Sequence, residues 1–180
     1  MIGFIQQMIN GLSIGSVYAL MAVGYSLVYS IMNFSNFAHG GVIMIGSYIG
    51  FFCISLLNFS FPVAFVTAAL GSGILAIIVE RVAYNPLRKR NAPFLYFIIS
   101  AMGASIFLEN IVVATIGPTF RTYPPVFSAT PIQIGGLTIG RLDVLMFVIS
   151  AISLSILVYI IEKTKIGLAI RATSYSSKGS

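Results

Sequence analysis

From Asn33 to Gly41 the chain reads Asn-Phe-Ser-Asn-Phe-Ala-His-Gly-Gly, a stretch that is polar without carrying fixed charge. Asn33, Asn36 and His39 supply amide and imidazole groups that donate and accept hydrogen bonds. Such groups suit a passing polar solute or freed backbone groups. Bond-breaking chemistry would need neighbouring acids and bases, and between Met1 and Val79 there is no Asp, Glu, Lys or Arg. For His39 two readings stand, a hydrogen bond to nearby backbone or contact with a solute path. Glu109 is the one acid within an apolar run. A carboxylate in lipid is costly and by default suggests function, but Glu109 lies beside Asn110 near the end of its run, where facing water or pairing with Arg121 is the simpler expectation. Cys53 is the single cysteine, so neither an internal disulfide nor a Cys/His metal cluster is expected. No catalytic cluster and no Gly-rich phosphate loop is visible, which argues against an enzyme and against nucleotide binding by the chain itself.

The elements that must position these residues follow from composition. Of 180 residues, 58% are hydrophobic and 8% charged, with a mean hydropathy of +1.00. A soluble domain carries roughly 25% charged residues, so water could not solvate this surface. A helix needs about 20 mostly apolar residues to cross a bilayer. Five stretches come near that length: Phe4 to Met32, Gly41 to Leu57, Pro62 to Val79, Phe94 to Ile116 and Val144 to Ile161. The expected fold is all-α, a polytopic transmembrane helical bundle, because runs without period-2 alternation fit helices and not a barrel. The first run is long and contains Gly11, Gly15 and Gly24, which leaves a tilted, kinked or re-entrant segment open. Gly40 and Gly41 are expected to turn the chain sharply. Met1 to Asn10 lacks the basic leader and cleavage site of a signal peptide.

The net charge of +6 has a topological reading. Arg81, Arg88, Lys89 and Arg90 fall in one segment, and Lys163, Lys165, Arg171 and Lys178 in another, leaving Arg121 and Arg141 between them. Basic residues near span ends are retained on the cytoplasmic side. Residues 81–93 and 163–180 are therefore expected to be cytoplasmic loops, and the Pro- and Gly-rich connection 117–143 an extracytoplasmic loop. Nucleic acid is not needed to explain the bases.

Small residues recur at helical spacing. Gly11, Gly15 and Ala19 lie four apart, as do Ala22, Ser26 and Ser30, and then Gly46 and Gly50. Such faces allow close helix–helix approach, and packing is the expected role of Gly11, Gly15, Ala19, Gly46 and Gly50.

Several of these motifs occur together in a known family. Asn10-Gly-Leu-Ser-Ile-Gly-Ser-Val-Tyr-Ala-Leu20, Val23-Gly-Tyr-Ser-Leu-Val-Tyr29, Asn36-Phe-Ala-His-Gly40 and Gly46-Ser-Tyr48 resemble the first of the two permease subunits of branched-chain amino acid ABC importers. Glu80-Arg-Val-Ala-Tyr84, Pro86-Leu-Arg88 and Gly167-Leu-Ala-Ile-Arg-Ala172 follow in the family's order. The resemblance implies a second permease subunit, two cytoplasmic ATPases that bind the ATP, an extracytoplasmic solute-binding protein, and a bacterial or archaeal plasma membrane. Independently of the resemblance, the polar break between two apolar runs is expected to border the substrate pathway with Asn33, Asn36 and His39, since such breaks are tolerated where they line a water-filled path. The resemblance also implies a cytoplasmic segment that docks as a short helix on the ATPase, with Gly167, Ala169, Arg171 and Ala172 making that contact. Members continue past the Arg171-Ala172 pair with further spans, whereas this chain closes at Tyr175–Ser180, so an incomplete coupling segment is expected. The alternative, an ion-coupled secondary transporter or channel subunit, usually places ionisable groups at mid-membrane; here only His39 stands in the first 79 residues.

Overall fold

A computed structural model describes residues 2–124, 132–134, 137–165, 167, 168, 170 and 172. Five helices in it are long and apolar enough to cross a membrane. The elements in order are α1 (Ile2–Met32), α2 (Ala38–Ser55), α3 (Phe61–Val79), a π-helical turn (Glu80–Tyr84), α4 (Asn85–Lys89), α5 (Phe94–Ile116), strands β1 (Ile132–Ile134) and β2 (Leu137–Ile139), and α6 (Arg141–Lys163). They form two compact units, residues 1–33 with 127–180, and residues 34–126.

In the first unit α1 packs on α6. The long first run is one unbroken helix of 31 residues and is not split in two. At about 1.5 Å per residue it reaches about 46 Å, more than the ~30 Å hydrocarbon core. Its glycines do not interrupt it, because every helical backbone bond can still form without a side chain. Ser13 on α1 and Ser150 on α6 are buried, and the Ser13 hydroxyl donates to the Ile9 carbonyl at 3.1 Å. A serine that satisfies itself on its own helix leaves a small surface for close packing. The connection to α6 carries an antiparallel ribbon in which Gln133 faces Thr138. Gln6 holds it to α1: Nε2 donates to the Thr138 carbonyl at 2.6 Å and Oε1 accepts the Thr138 N–H at 2.9 Å. The primary amide thus pairs with Thr138 as a neighbouring strand would.

In the second unit α2 packs on α3 and on α5. Gly46 faces Ser72, and a Cβ there would stand 2.8 Å from the Ser72 hydroxyl oxygen; at Gly50 it would stand 3.6 Å from the Ala68 Cβ. A side chain at either position would press on a neighbouring element. Gly41 is helical and lies against Leu108 of α5, where a Cβ would come within 3.1 Å. Gly40 and Gly41 therefore do not make the turn before α2. Asparagines do the turning: Asn33, Asn58 and Asn91 have φ of 56°, 52° and 47°. Asn tolerates this left-handed region better than other residues with a Cβ, so it commonly ends helices. After α4, Ala92 N–H bonds to the Leu87 carbonyl and Asn91 N–H to the Arg88 carbonyl, the paired bonds of a Schellman stop.

The outer glycine face of α1 differs. Gly11, Gly15 and Ala19 are exposed, and no atom lies within 4 Å of a Cβ built at Gly11 or Gly15. Nothing described in this chain packs there.

Candidate functional site: a hydrogen-bonded break and a capped helical segment

The polar break is built around one aromatic cluster. Phe34 and Tyr84 are almost fully buried, with ring centroids 5.1 Å apart in an edge contact, and Phe97 of α5 lies 5.3 Å from Phe34. The Tyr84 hydroxyl, buried with its ring, donates to Asn36 Oδ1 at 2.6 Å. The same oxygen accepts the Ala38 N–H at 3.2 Å, satisfying a free donor at the start of α2. Asn36 is thus a joint between the polar break and the π turn. Asn33 serves the backbone, ending α1 with its N–H on the Tyr29 carbonyl at 2.8 Å. His39 is half-buried on the first turn of α2.

The basic segment at 81–93, expected as a loop, is instead helical through Lys89, with an irregular turn only at the residues after it. Pro86 explains the π turn before it. Proline has no N–H to continue the i→i−4 ladder, and its ring crowds the preceding turn. The helix widens instead, and Asn85 N–H bonds to Glu80, five residues back. Ser100 of α5 donates to the Ala83 carbonyl at 2.9 Å, fixing the widened turn to its neighbour. Glu80 pairs with Arg88 across it at 3.1 Å. Pro86 was the sequence signal for this turn; the Tyr84–Asn36 bond, between residues 48 apart, had none.

At the end of α5 the chain folds back across α2. Tyr123 OH donates to the Ser47 carbonyl at 2.6 Å, and its ring meets Phe51 edge-on at 5.6 Å. Burial raises the Tyr123 pKa above its usual value, so the phenol stays a donor throughout the neutral range. An open cleft of about 490 Å³ lies here, lined by Glu109, Arg121, Tyr48 and Phe51 among others. The two charged groups do not pair. Glu109 accepts the Ser105 hydroxyl at 3.0 Å, and Arg121 donates to the Ile116 carbonyl at 3.3 Å. Glu109 is exposed and does not pair with Arg121.

After α6 the chain restarts a helix. Thr164 is extended, with φ −106° and ψ 159°, and its hydroxyl accepts the Gly167 N–H at 3.1 Å while its carbonyl accepts the Leu168 N–H at 3.0 Å. This is the geometry of an N-cap. Gly167 is buried against the end of α6, and a Cβ there would collide with the carbonyl oxygens of Ile160 and Ile161. Only glycine fits. Ala172 is helical and exposed, while Ala169 and Arg171 lie outside the described residues. Thr164 was overlooked in the sequence; its type and its place one residue before Lys165 were the available signal.

Comparison with known proteins supplies what geometry alone does not. Residues 7–180 match the family model for the permease component of branched-chain amino acid transport systems. This chain belongs to that family. Among its relatives, the high-affinity branched-chain amino acid transport system permease protein BraD of Pseudomonas aeruginosa is 37% identical, covering 97% of this chain and 60% of the relative. The corresponding LivH protein of Salmonella typhimurium is also 37% identical, with the same coverage of each. A probable branched-chain amino acid transport permease protein LivH of Methanocaldococcus jannaschii is 28% identical, over 88% of this chain and 51% of the relative. The permease chain thus spans about 60% of the length of the first two relatives. No solved structure gives a significant match. Family membership and the five apolar helices make the chain a multi-pass membrane protein.

Proposed function

We propose that this chain is the transmembrane permease part of an ATP-driven importer for branched-chain or closely related amino acids. It works beside a second permease, with two cytoplasmic ATPases that bind the ATP and an extracytoplasmic solute-binding protein, in a bacterial or archaeal plasma membrane. The observation that carries this reading is the family match over residues 7–180. A solute released by the binding protein enters a path between the paired permeases. The break at Asn33, Asn36 and His39 borders that path. Tyr84 already engages the Asn36 carbonyl oxygen, so Asn36 would meet a solute through its amide nitrogen.

ATPase closure reaches the permease through the helix capped by Thr164. Its register is fixed by the collision that excludes any side chain at Gly167, and a register that cannot slip transmits displacement into α6. Ala169, Arg171 and Ala172 make the ATPase contact, and Gly167, packed on the end of α6, sets how the segment enters it. The test is co-purification with the ATPase: replacing Gly167 and Arg171 together should abolish it, and retention would defeat the coupling assignment. In proteoliposomes holding the assembled transporter, uptake should require ATP. Uptake driven by an ion gradient alone would favour a secondary transporter instead.

A further inference from the structure

The widened end of the α3 helix presents two features that the transport reading does not use, and both lie within residues 34–126. The first is a depression of about 310 Å³ lined by Arg81, Asn85, Pro86, Lys89 and Arg90. Glu80, the segment's acid, is committed to Arg88. The side chains of Arg81, Lys89 and Arg90 have no ion pair or hydrogen bond of their own among the described residues. Three like charges around one small depression repel each other, and an anion placed among them relieves that repulsion. The second feature is an apolar groove of about 530 Å³ between the same helix and α5, lined by Ile78, Val79, Val82, Gly103, Ala104 and Phe107 among others. It includes Val82, the residue after Arg81. At Gly103 no atom lies within 4 Å of a built Cβ, so its wall is open there.

We infer that this end of the helix binds an anionic phospholipid, with the phosphate held by Arg81, Lys89 and Arg90 and an acyl chain lying in the groove past Val82 and Gly103. The location agrees with that ligand. The depression lies at the end of the 29-residue candidate span Phe61–Lys89, and the basic end of a span is where headgroup phosphates meet the hydrocarbon. Val82 is 71% exposed beside the cation cluster, which suits a ligand that is charged at one end and apolar at the other. A free phosphate would use the cations and leave the groove empty; an acidic protein segment would do the same. Guanidinium groups favour phosphate because their forked donors match two of its oxygens. The inference does not depend on what the protein transports.

The test is native mass spectrometry of the full chain in detergent, supplemented with equal amounts of phosphatidylglycerol and phosphatidylcholine. The chain should retain phosphatidylglycerol in preference. The triple variant R81Q/K89Q/R90Q should lose about a hundredfold of that preference, at about fivefold per cation near an anionic headgroup. Gly103→Leu, which fills the groove, should reduce retention of phosphatidylglycerol while leaving the cations intact, and Lys163→Gln should change neither. Excess inorganic phosphate should displace little lipid from the parent chain. Equal preference in the parent and the triple variant would overturn the assignment, as would ready displacement by inorganic phosphate with no effect of Gly103→Leu. If the triple variant does not fold, raised salt on the parent chain replaces it. Screening should then erase the preference, and a preference that survives salt would sink the proposal.

Discussion

Tyr84 illustrates how much one side chain can organise in a protein whose surface is mostly apolar. Its ring fills the core of residues 34–126 beside Phe34, and its hydroxyl reaches Asn36. In Tyr84→Phe the ring stays and one buried hydrogen bond is lost, so thermal unfolding in detergent should report a loss of about 1 kcal/mol. Tyr84→Ala also leaves a cavity, and the loss should reach about 3–5 kcal/mol. A Tyr84→Phe protein as unstable as the alanine variant would mean that the bond, and not the ring, holds the break. Tyr123 gives a pH prediction. Its folded pKa is raised above the ordinary 10.0 by burial, so its stabilising contribution is full below that ordinary value and is lost as pH climbs through the raised one. Alkaline titration of stability should show this loss in the parent and lack it in Tyr123→Phe. Asn36 was legible as a polar anomaly in an apolar sequence, but its partner was not, because a lone tyrosine 48 residues away has no local signature.

At the scale of helices, identical residue types have opposite consequences depending on what faces them. Gly46 meets Ser72, whereas Gly11 meets nothing described in this chain. Gly46→Val should therefore force α2 from α3 and cost about 1–3 kcal/mol, while Gly11→Val should leave unfolding within about 0.5 kcal/mol of the parent. Both values come from the same denaturation series, and a Gly11→Val protein as damaged as Gly46→Val would place a neighbour on α1 that is absent here. The four-residue spacing announced both faces equally, since periodicity states that a face exists and not which element covers it. The capped segment after α6 gives another test. Thr164→Ala removes the side-chain acceptor of the Gly167 N–H and should weaken the helix start by about 1 kcal/mol, read as faster hydrogen exchange at Gly167 and Leu168. Proline and asparagine were the more informative letters for shape. Pro86 dictates a defect in the turn before it when a helix runs on through it, and Asn33, Asn58 and Asn91 end helices because their short polar side chains tolerate positive φ.

For the whole molecule, the scarcity of charge decided most. With no Asp, Glu, Lys or Arg before Glu80 and 58% hydrophobic residues, the chain had to form helices that satisfy their own backbone in lipid, and five of that length are present among the described residues. The motifs spread from Asn10 to Ala172 were equally legible, because they are local strings of residues, and the family match covers the same range. Only the tertiary structure decided that the long first run is one helix and that the basic segment after Val79 continues as helix through a π turn. It alone separated the packed glycines from the open ones and left Glu109 and Arg121 unpaired in one cleft. The reason is physical. Hydropathy and helix-stopping chemistry act through a residue and its near neighbours, so they can be read along the chain. A close approach, a shared acceptor or a missing counter-ion depends on residues that meet only when the helices pack.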